Sequence, residues 1–127
     1  MVGNKILVVE DDSITAMEIQ SLLETSGYQP YSVSSGNEAL NTAFETKPDL
    51  ILMDVKIKGE EDGVKTAQTI KESMEVPVIY LTAHSDLQLM ESMKLTRPSA
   101  CIFKPFGSSE LLSNIEIALY TFDGGCK

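Results

Sequence analysis

Asp49-Leu50-Ile51-Leu52-Met53-Asp54 is a short apolar run between two carboxylates. A run of this kind, bounded by polar residues, is typical of a strand that is buried on both faces of a sheet. Asp54 therefore stands where the strand leaves the core. A second run, Ile6-Leu7-Val8-Val9, ends in the same way, in Glu10, Asp11 and Asp12. Both patterns predict strands whose carboxyl ends carry acidic side chains.

Two further apolar runs end in residues of other chemistry. Val76 to Leu81 is followed by Thr82, and Ala100 to Phe103 is followed by Lys104. Ligands of open α/β sheets bind at the carboxyl ends of the strands. Carboxylates, a hydroxyl and an ammonium at one sheet edge predict a site for a cation and a phosphoryl group.

Strands and helices alternate along the whole chain. The patterns predict strands at 5–9, 29–33, 49–53, 77–81 and 100–103, and helices that begin near Ser13 and at 36–45, 63–74, 86–95 and 108–122. Strict alternation favours a parallel sheet with helices on both faces and right-handed crossovers. Residues 1–122 are predicted to form one domain, and residues 123–127 a short tail or the end of a cloned segment.

Composition excludes several classes of protein. The chain has 127 residues and a net charge of -9, so it lacks the basic surface that direct nucleic-acid binding requires. It has no apolar stretch near the roughly 18 residues of a membrane span, and no signal-peptide pattern. Its two cysteines, Cys101 and Cys126, suit reduced thiols. We therefore expect a cytoplasmic protein.

Clustered carboxylates suggest a specific chemistry. Two unit charges about 4 Å apart repel by roughly 4 kcal/mol at an effective dielectric of 20, so a bare cluster is costly. Magnesium removes this cost, because it takes one or two carboxylates and leaves a position for a phosphate oxygen. One carboxylate is then a candidate nucleophile that forms an aspartyl phosphate.

These motifs together resemble the receiver domain of two-component response regulators. The similarity covers residues 5 to about 121, and each motif falls at the correct strand end. It rests on Val9-Glu10-Asp11-Asp12, Met53-Asp54, Leu81-Thr82-Ala83 and Lys104-Pro105-Phe106. Each motif alone is weak, whereas the ordered set is very specific. The resemblance implies a flavodoxin-like sheet of five parallel strands in the order 2-1-3-4-5.

The resemblance also implies a role for each motif residue. Asp54 would accept a phosphoryl group from a sensor histidine kinase or phosphotransfer protein. Magnesium would be held by Glu10, Asp11, Asp54 and the backbone carbonyl of Lys56. Thr82 and Lys104 would contact phosphoryl oxygens, with a cis peptide before Pro105. Such a domain is a switched binding module rather than an enzyme, although it assists its own phosphorylation and dephosphorylation.

Three features depart from or refine the family pattern. Cys101 stands at a switch position where receivers commonly carry Tyr or Phe, so the aromatic-coupled output is in doubt and the fourth helix is expected to carry the response. Lys56 and His84 stand at positions that tune the hydrolysis of the aspartyl phosphate. The loop after Asp54, residues 56–63, is one residue longer than the commonest version, and we expect intact metal binding.

The apolar residues of the predicted fourth helix fit two interpretations. These residues, Leu87, Leu89, Met90, Met93 and Leu95, spread over more than one face. A well-buried helix and a surface for a partner or a dimer both fit this pattern. In the second case the dimer would form through the fourth helix, the fifth strand and the fifth helix, and the downstream partner protein or domain is unidentified.

Other functions fit the sequence motifs less well than that of a receiver domain. A haloacid dehalogenase-type phosphatase needs a second Asp where Lys56 stands, and a flavodoxin needs a phosphate-cradling loop where Glu10-Asp11-Asp12 stands. A phosphorylation-independent pseudo-receiver, acting as a constitutive interaction module, is the most serious alternative. A receiver fragment of a hybrid histidine kinase also stays open, because the final helix could continue into a downstream signalling helix.

Overall fold

The computed structural model describes residues 3–57 and 63–122, and its sheet has the predicted topology. Its five strands are β1 (Lys5–Val9), β2 (Gln29–Val33), β3 (Leu50–Asp54), β4 (Val78–Thr82) and β5 (Ala100–Phe103). All neighbouring strands are parallel, and their order is β2-β1-β3-β4-β5. The flavodoxin-like arrangement is therefore confirmed. The predicted tail at 123–127 and most of the long loop lie outside the described residues.

Five α-helices and one 3-10 turn connect the strands among the described residues. The helices are α1 (Ser13–Thr25), α2 (Gly36–Thr46), α3 (Gly63–Ser73), α4 (Met90–Leu95) and α5 (Ser108–Tyr120), and the turn is His84–Leu89. Within residues 3–57 and 63–122, no helix is both long enough and apolar enough to cross a membrane.

One predicted helix start is wrong. The predicted fourth helix, 86–95, is α-helical only from Met90, because Asp86 closes a tighter turn by donating its N–H to the Ala83 carbonyl at 2.9 Å. Helix α1 begins at Ser13 as predicted, and Asp12 is its N-cap. The Asp12 carboxylate accepts the Thr15 N–H at 3.0 Å, as an N-cap residue does.

The core lies on both faces of the sheet. Alternate residues of β1 and β3 point to opposite sides, so that Leu7 and Ile51 belong to one apolar cluster and Ile6 and Leu50 to the other. Helices α2 and α3 cover the first cluster, and α1 and α5 cover the second. Because β1, β3 and β4 are buried along almost their whole length, their polar residues can lie only at the strand ends.

Gly63 brings the start of α3 against the end of β3. Its N–H donates to the Val55 carbonyl at 2.7 Å, and a Cβ at this position would overlap the Asp54 carbonyl oxygen. Gly63 is thus a position of close backbone approach beside the acidic strand end.

We predict that Gly63→Ala lowers the free energy of unfolding by about 1–3 kcal/mol, because the backbone must shift to admit the methyl group. Urea denaturation measures this. Gly107→Ala is the matched control, since a Cβ there meets no atom within 4 Å, and its cost at the N-cap of α5 should stay below about 1 kcal/mol. Equal losses in the two variants would contradict the packing argument.

Candidate functional site

The register of the sheet brings the four strand ends together. Val9 pairs with Met53, Asp54 with Leu81, and Thr82 with Phe103. The residues that follow β1 and β5, and those that end β3 and β4, therefore meet at one edge. Glu10, Asp54, Thr82 and Lys104, each predicted from a strand end, all lie at this edge.

Three carboxylates form the centre of the site. One oxygen each from Glu10, Asp11 and Asp54 lies within 4.8 Å of the other two. Glu10 is 2% exposed and Asp54 is 4% exposed, whereas Asp11 is half-buried. Asp12 points away from this group and caps α1. The cluster consists of the acids that the sequence singled out as metal ligands.

Lys104 is the counter-charge of the cluster. Its ammonium lies 2.9 Å from Asp54 Oδ2 and 3.1 Å from Glu10 Oε1. The backbone also fixes Lys104, because its N–H donates to the Thr82 carbonyl at 2.7 Å. The Lys104–Pro105 peptide bond is cis, as the resemblance implied. A single side chain therefore bridges the ends of β1 and β3 from the end of β5.

Burial and neighbouring charges shift the pKa values of two groups in the site. Burial, followed by the neighbouring Asp54 carboxylate, raises the pKa of Glu10 from 4.5 to about 7. The N–H of Asp12 and the ammonium of Lys104 oppose this rise only in part. Burial alone would lower the pKa of Lys104, but Asp54 and Glu10 outweigh it and raise that pKa above its ordinary value. The site therefore has more negative charge than its own ammonium neutralises.

The donor set fits a hard divalent cation. When all three carboxylates are ionised, the single ammonium leaves two uncompensated negative charges in a largely buried site. Oxygen ligands of this kind, few in number and partly open to solvent, suit Mg²⁺, which keeps several of its waters. A cation bound there would favour the ionised form of Glu10, whose pKa is raised by burial and by the neighbouring Asp54 carboxylate.

Thr82 is buried and its hydroxyl is already engaged. Its side chain lies 3.3 Å from the Ala83 carbonyl oxygen and 3.5 Å from Asp86 Oδ2. The residue is 1% exposed. A hydroxyl has one hydrogen to donate, so any new acceptor has to compete with these two oxygens.

The three remaining predicted positions flank the site without joining the carboxylate cluster. Lys56 donates its N–H to Asp54 Oδ1 at 3.3 Å, while its ammonium reaches Asp86 instead of the cluster. The His84 ring is exposed and stacks on Phe103 with 4.6 Å between centroids. Cys101 is half-buried, with its sulfur 3.9 Å from that of Met93, and therefore fills core space.

Asp86 is the residue that the sequence reasoning missed. The sequence pattern predicts only that Asp86 begins a helix. In the structure its side chain is buried, with 4% of the residue exposed, and it contacts both Thr82 and Lys56. The available signal was a carboxylate four residues beyond Thr82, in the loop that leaves the same sheet edge. An isolated acid near a helix start is usually an N-cap residue, so the sequence pattern alone does not assign Asp86 to the site.

The chain belongs to the response regulator receiver domain family. The family model "Response regulator receiver domain" matches residues 6–116, which is most of the chain. This places the protein in two-component signal transduction and confirms the resemblance of its motifs.

Known relatives agree with this assignment. The chain is 34% identical over 122 residues to the transcriptional regulatory protein PdtaR of Mycobacterium tuberculosis, covering 95% of this chain and 59% of that protein. The chain thus spans somewhat more than half the length of this relative.

Solved structures agree as well. The signal receiver domain of a modulated diguanylate cyclase from Desulfovibrio desulfuricans superposes with a TM-score of 0.89 at 30% identity, covering 95% of this chain and 97% of that one. A CheY-like receiver domain protein from Methanospirillum hungatei has the same fold, with a TM-score of 0.88 at 23% identity and coverage of 95% and 97%.

We predict that Glu10→Gln stabilises the metal-free protein at pH 8 but not at pH 5. The folded protein holds a proton on Glu10 that the unfolded chain releases between pH 4.5 and about 7, so this residue's contribution to stability falls as the pH rises through that window. Removing the charge should add roughly 1–3 kcal/mol to the free energy of unfolding at pH 8.

Urea denaturation in EDTA at the two pH values measures the effect. Glu18→Gln is the control, because Glu18 is an exposed acid on α1 outside the cluster. A gain of the same size at pH 5 and pH 8, or an equal gain in Glu18→Gln, would contradict the assignment to Glu10.

Proposed function

We propose that the domain is a phosphorylation-switched signalling receiver. Asp54 accepts a phosphoryl group from a histidine kinase or a phosphotransfer protein, and the modification changes the surface that a downstream partner binds. Glu10, Asp11, Asp54 and the backbone carbonyl of Lys56 hold Mg²⁺. Thr82 and Lys104 are donors to the phosphoryl oxygens.

One observation carries this proposal: the bridge from the Lys104 ammonium to Asp54 Oδ2 and Glu10 Oε1 within the carboxylate cluster. The bridge orients the Asp54 carboxylate at a buried strand end and keeps the Lys104 ammonium beside it. A positioned carboxylate with positive charge around it is what nucleophilic attack on a phosphoryl group requires.

The side chains supply positioning and charge for the transfer. An Asp54 oxygen forms the new bond to phosphorus, while the bond from phosphorus to the donor's leaving group breaks with its electron pair. Lys104 donates to a developing oxygen charge, and Thr82 provides a hydroxyl once it leaves its present acceptors. Magnesium, when held by the carboxylates, would supply positive charge that offsets the charge of the phosphoryl group. Charge-assisted hydrogen bonds of this kind contribute roughly 1.5–3 kcal/mol each.

The surface beside Lys104 suits a protein donor. An open depression of about 380 Å³ lies between Thr15, Glu18 and Phe106, with Lys104 in its wall. On α1, Ile14 is 67% exposed and Met17 is 69% exposed. A depression with Lys104 in its wall, together with exposed apolar residues on the neighbouring helix α1, supports the proposal that a phosphodonor protein docks here.

We predict that incubation with magnesium and acetyl phosphate adds one phosphoryl group to the protein, as measured by intact-mass analysis. The adduct should disappear in Asp54→Ala and in EDTA, because both the nucleophile and the cation are needed. Asp49→Ala is the matched control, since Asp49 is an exposed acid at the opposite end of β3.

The absence of any adduct in the wild-type protein would contradict this function. That result would favour the pseudo-receiver, which acts by constitutive binding. An adduct that survives in Asp54→Ala would show that another residue is the acceptor.

A face built from α4, β5 and α5 is proposed as the surface through which two copies associate. Leu95 is 84% exposed, Ile117 is 61% exposed and Tyr120 is 68% exposed. Met93, by contrast, is 1% exposed and anchors α4 to the core, so that α4 has both the buried and the exposed sides that its sequence suggested. Large exposed apolar side chains on α4 and α5, the helices that precede and follow β5 along the chain, support a contact surface.

We predict that the phosphorylated protein is dimeric in sedimentation experiments. Leu95→Glu should raise the dissociation constant of the dimer at least about tenfold, because it places a charge where the dimer would bury an apolar side chain. Phe44→Glu is the control, since Phe44 is a 44% exposed apolar residue on α2, outside the proposed face. Equal weakening by both substitutions would contradict the proposed surface.

A further inference from the structure

Asp86 is a buried carboxylate outside the acidic cluster. It lies in the 3-10 turn His84–Leu89, and only 4% of it is exposed. A buried charge is costly unless it is paired and hydrogen-bonded. The contacts of Asp86 therefore indicate what its burial achieves.

The two oxygens of Asp86 contact different parts of the chain. Oδ2 accepts the Ala83 N–H at 3.2 Å and lies 3.5 Å from the Thr82 hydroxyl. Oδ1 is shielded from solvent and makes no well-directed hydrogen bond within residues 3–57 and 63–122. The Lys56 ammonium, 3.2 Å from Oδ1, supplies its counter-charge.

The Lys56–Asp86 pair joins the loop that follows β3 to the turn that follows β4. Lys56 follows β3 and donates its N–H to Asp54 Oδ1 at 3.3 Å. Asp86 belongs to the turn after β4, which begins beside Thr82. The pair therefore connects the backbone at Asp54 to the turn that contains His84 and Leu87.

A phosphoryl group on Asp54 would compete for both of these contacts. It would bring about -1.5 to -2 charge and three acceptor oxygens to the end of β3, two residues before Lys56 and beside the end of β4 at Thr82. The Thr82 hydrogen cannot serve a phosphoryl oxygen while it is donated to Asp86 or to the Ala83 carbonyl. The loss of Lys56 would leave Asp86 as an unpaired buried charge, which favours opening of the turn.

We propose that Asp86 is a positioning residue for Thr82, and that the Lys56–Asp86 pair is a latch that holds the turn His84–Leu89 closed until Asp54 is phosphorylated. The closed state of the latch stands on the contacts of the unmodified protein. Its release by phosphorylation rests on the proposed function.

The latch is tested first in the metal-free, unphosphorylated protein by amide hydrogen exchange. The reporters are the amides of Ala83 and Asp86, because they donate to Asp86 Oδ2 and to the Ala83 carbonyl. Lys56→Met should speed their exchange about tenfold, and Lys56→Arg should restore it. In Asp86→Asn, the further change from Lys56→Met should be negligible, because the two residues act as a pair.

The pair Lys94–Glu91 provides the matched control. It is also a lysine–carboxylate pair, at 3.3 Å, but both side chains are exposed on α4. Lys94→Met should leave the exchange of Ala83 and Asp86 unchanged. Amides of β1 serve as the check on folding, since Lys56 is 63% exposed and its truncation leaves the core intact.

Two results would overturn the latch. One is unchanged exchange of Ala83 and Asp86 in Lys56→Met; the other is additive effects of Lys56→Met and Asp86→Asn.

Release of the latch is then measured in protein treated with magnesium and acetyl phosphate, where the same amides should exchange faster in the wild type. Formation of the adduct without faster exchange would refute release by phosphorylation. Failure of the adduct to form would refute the proposed function, while the result on unmodified protein would stand.

Discussion

The contact on which the site depends is the approach of the Lys104 ammonium to Asp54 and Glu10 at the end of the sheet. Because β1, β3 and β4 are buried on both faces, charged side chains can leave these strands only at their ends. Parallel pairing puts those ends at one edge, and the carboxylates therefore crowd together there. A single ammonium offsets this crowding only in part, so the site fits a divalent cation. Burial and the neighbouring Asp54 carboxylate together raise the pKa of Glu10.

The two carboxylate oxygens of Asp54 accept hydrogen bonds from different structural elements. Its Oδ2 meets the Lys104 ammonium, which ties it to β5, and its Oδ1 accepts the Lys56 N–H, which ties it to the loop before α3. Lys56 in turn faces Asp86, so the second oxygen is linked through one residue to the turn after β4. A change of charge at Asp54 therefore acts on two structural elements, the strand β5 and the turn that follows β4.

Most of this arrangement could be predicted from the sequence, because it follows from local patterns. Apolar runs predict the buried strands. Because the strands are parallel, the residues at their carboxyl ends lie at one edge of the sheet, and these are Glu10, Asp54, Thr82 and Lys104. The 3-10 turn was missed, since it is decided by one side-chain hydrogen bond that competes with regular helix geometry. The role of Asp86 was missed for a further reason. Its partner Lys56 is distant in sequence, and an ion pair between two loops leaves no periodic trace.

Cys101 gains a physical explanation from its surroundings. Tyr80 pairs with it across β4 and β5, is fully buried, and has its hydroxyl 2.7 Å from that of Thr96, while Met93 lies against the Cys101 sulfur. An aromatic ring that turned inward from position 101 would meet space already filled by Tyr80 and Met93, and packed interiors have no spare volume for one. The stacked ring of His84 on Phe103 lies outside this packed region, at the site edge of β5. In this chain, a displacement of Thr82 therefore has a less obstructed route through the polar turn that contains His84 and Asp86 than through the core around Cys101.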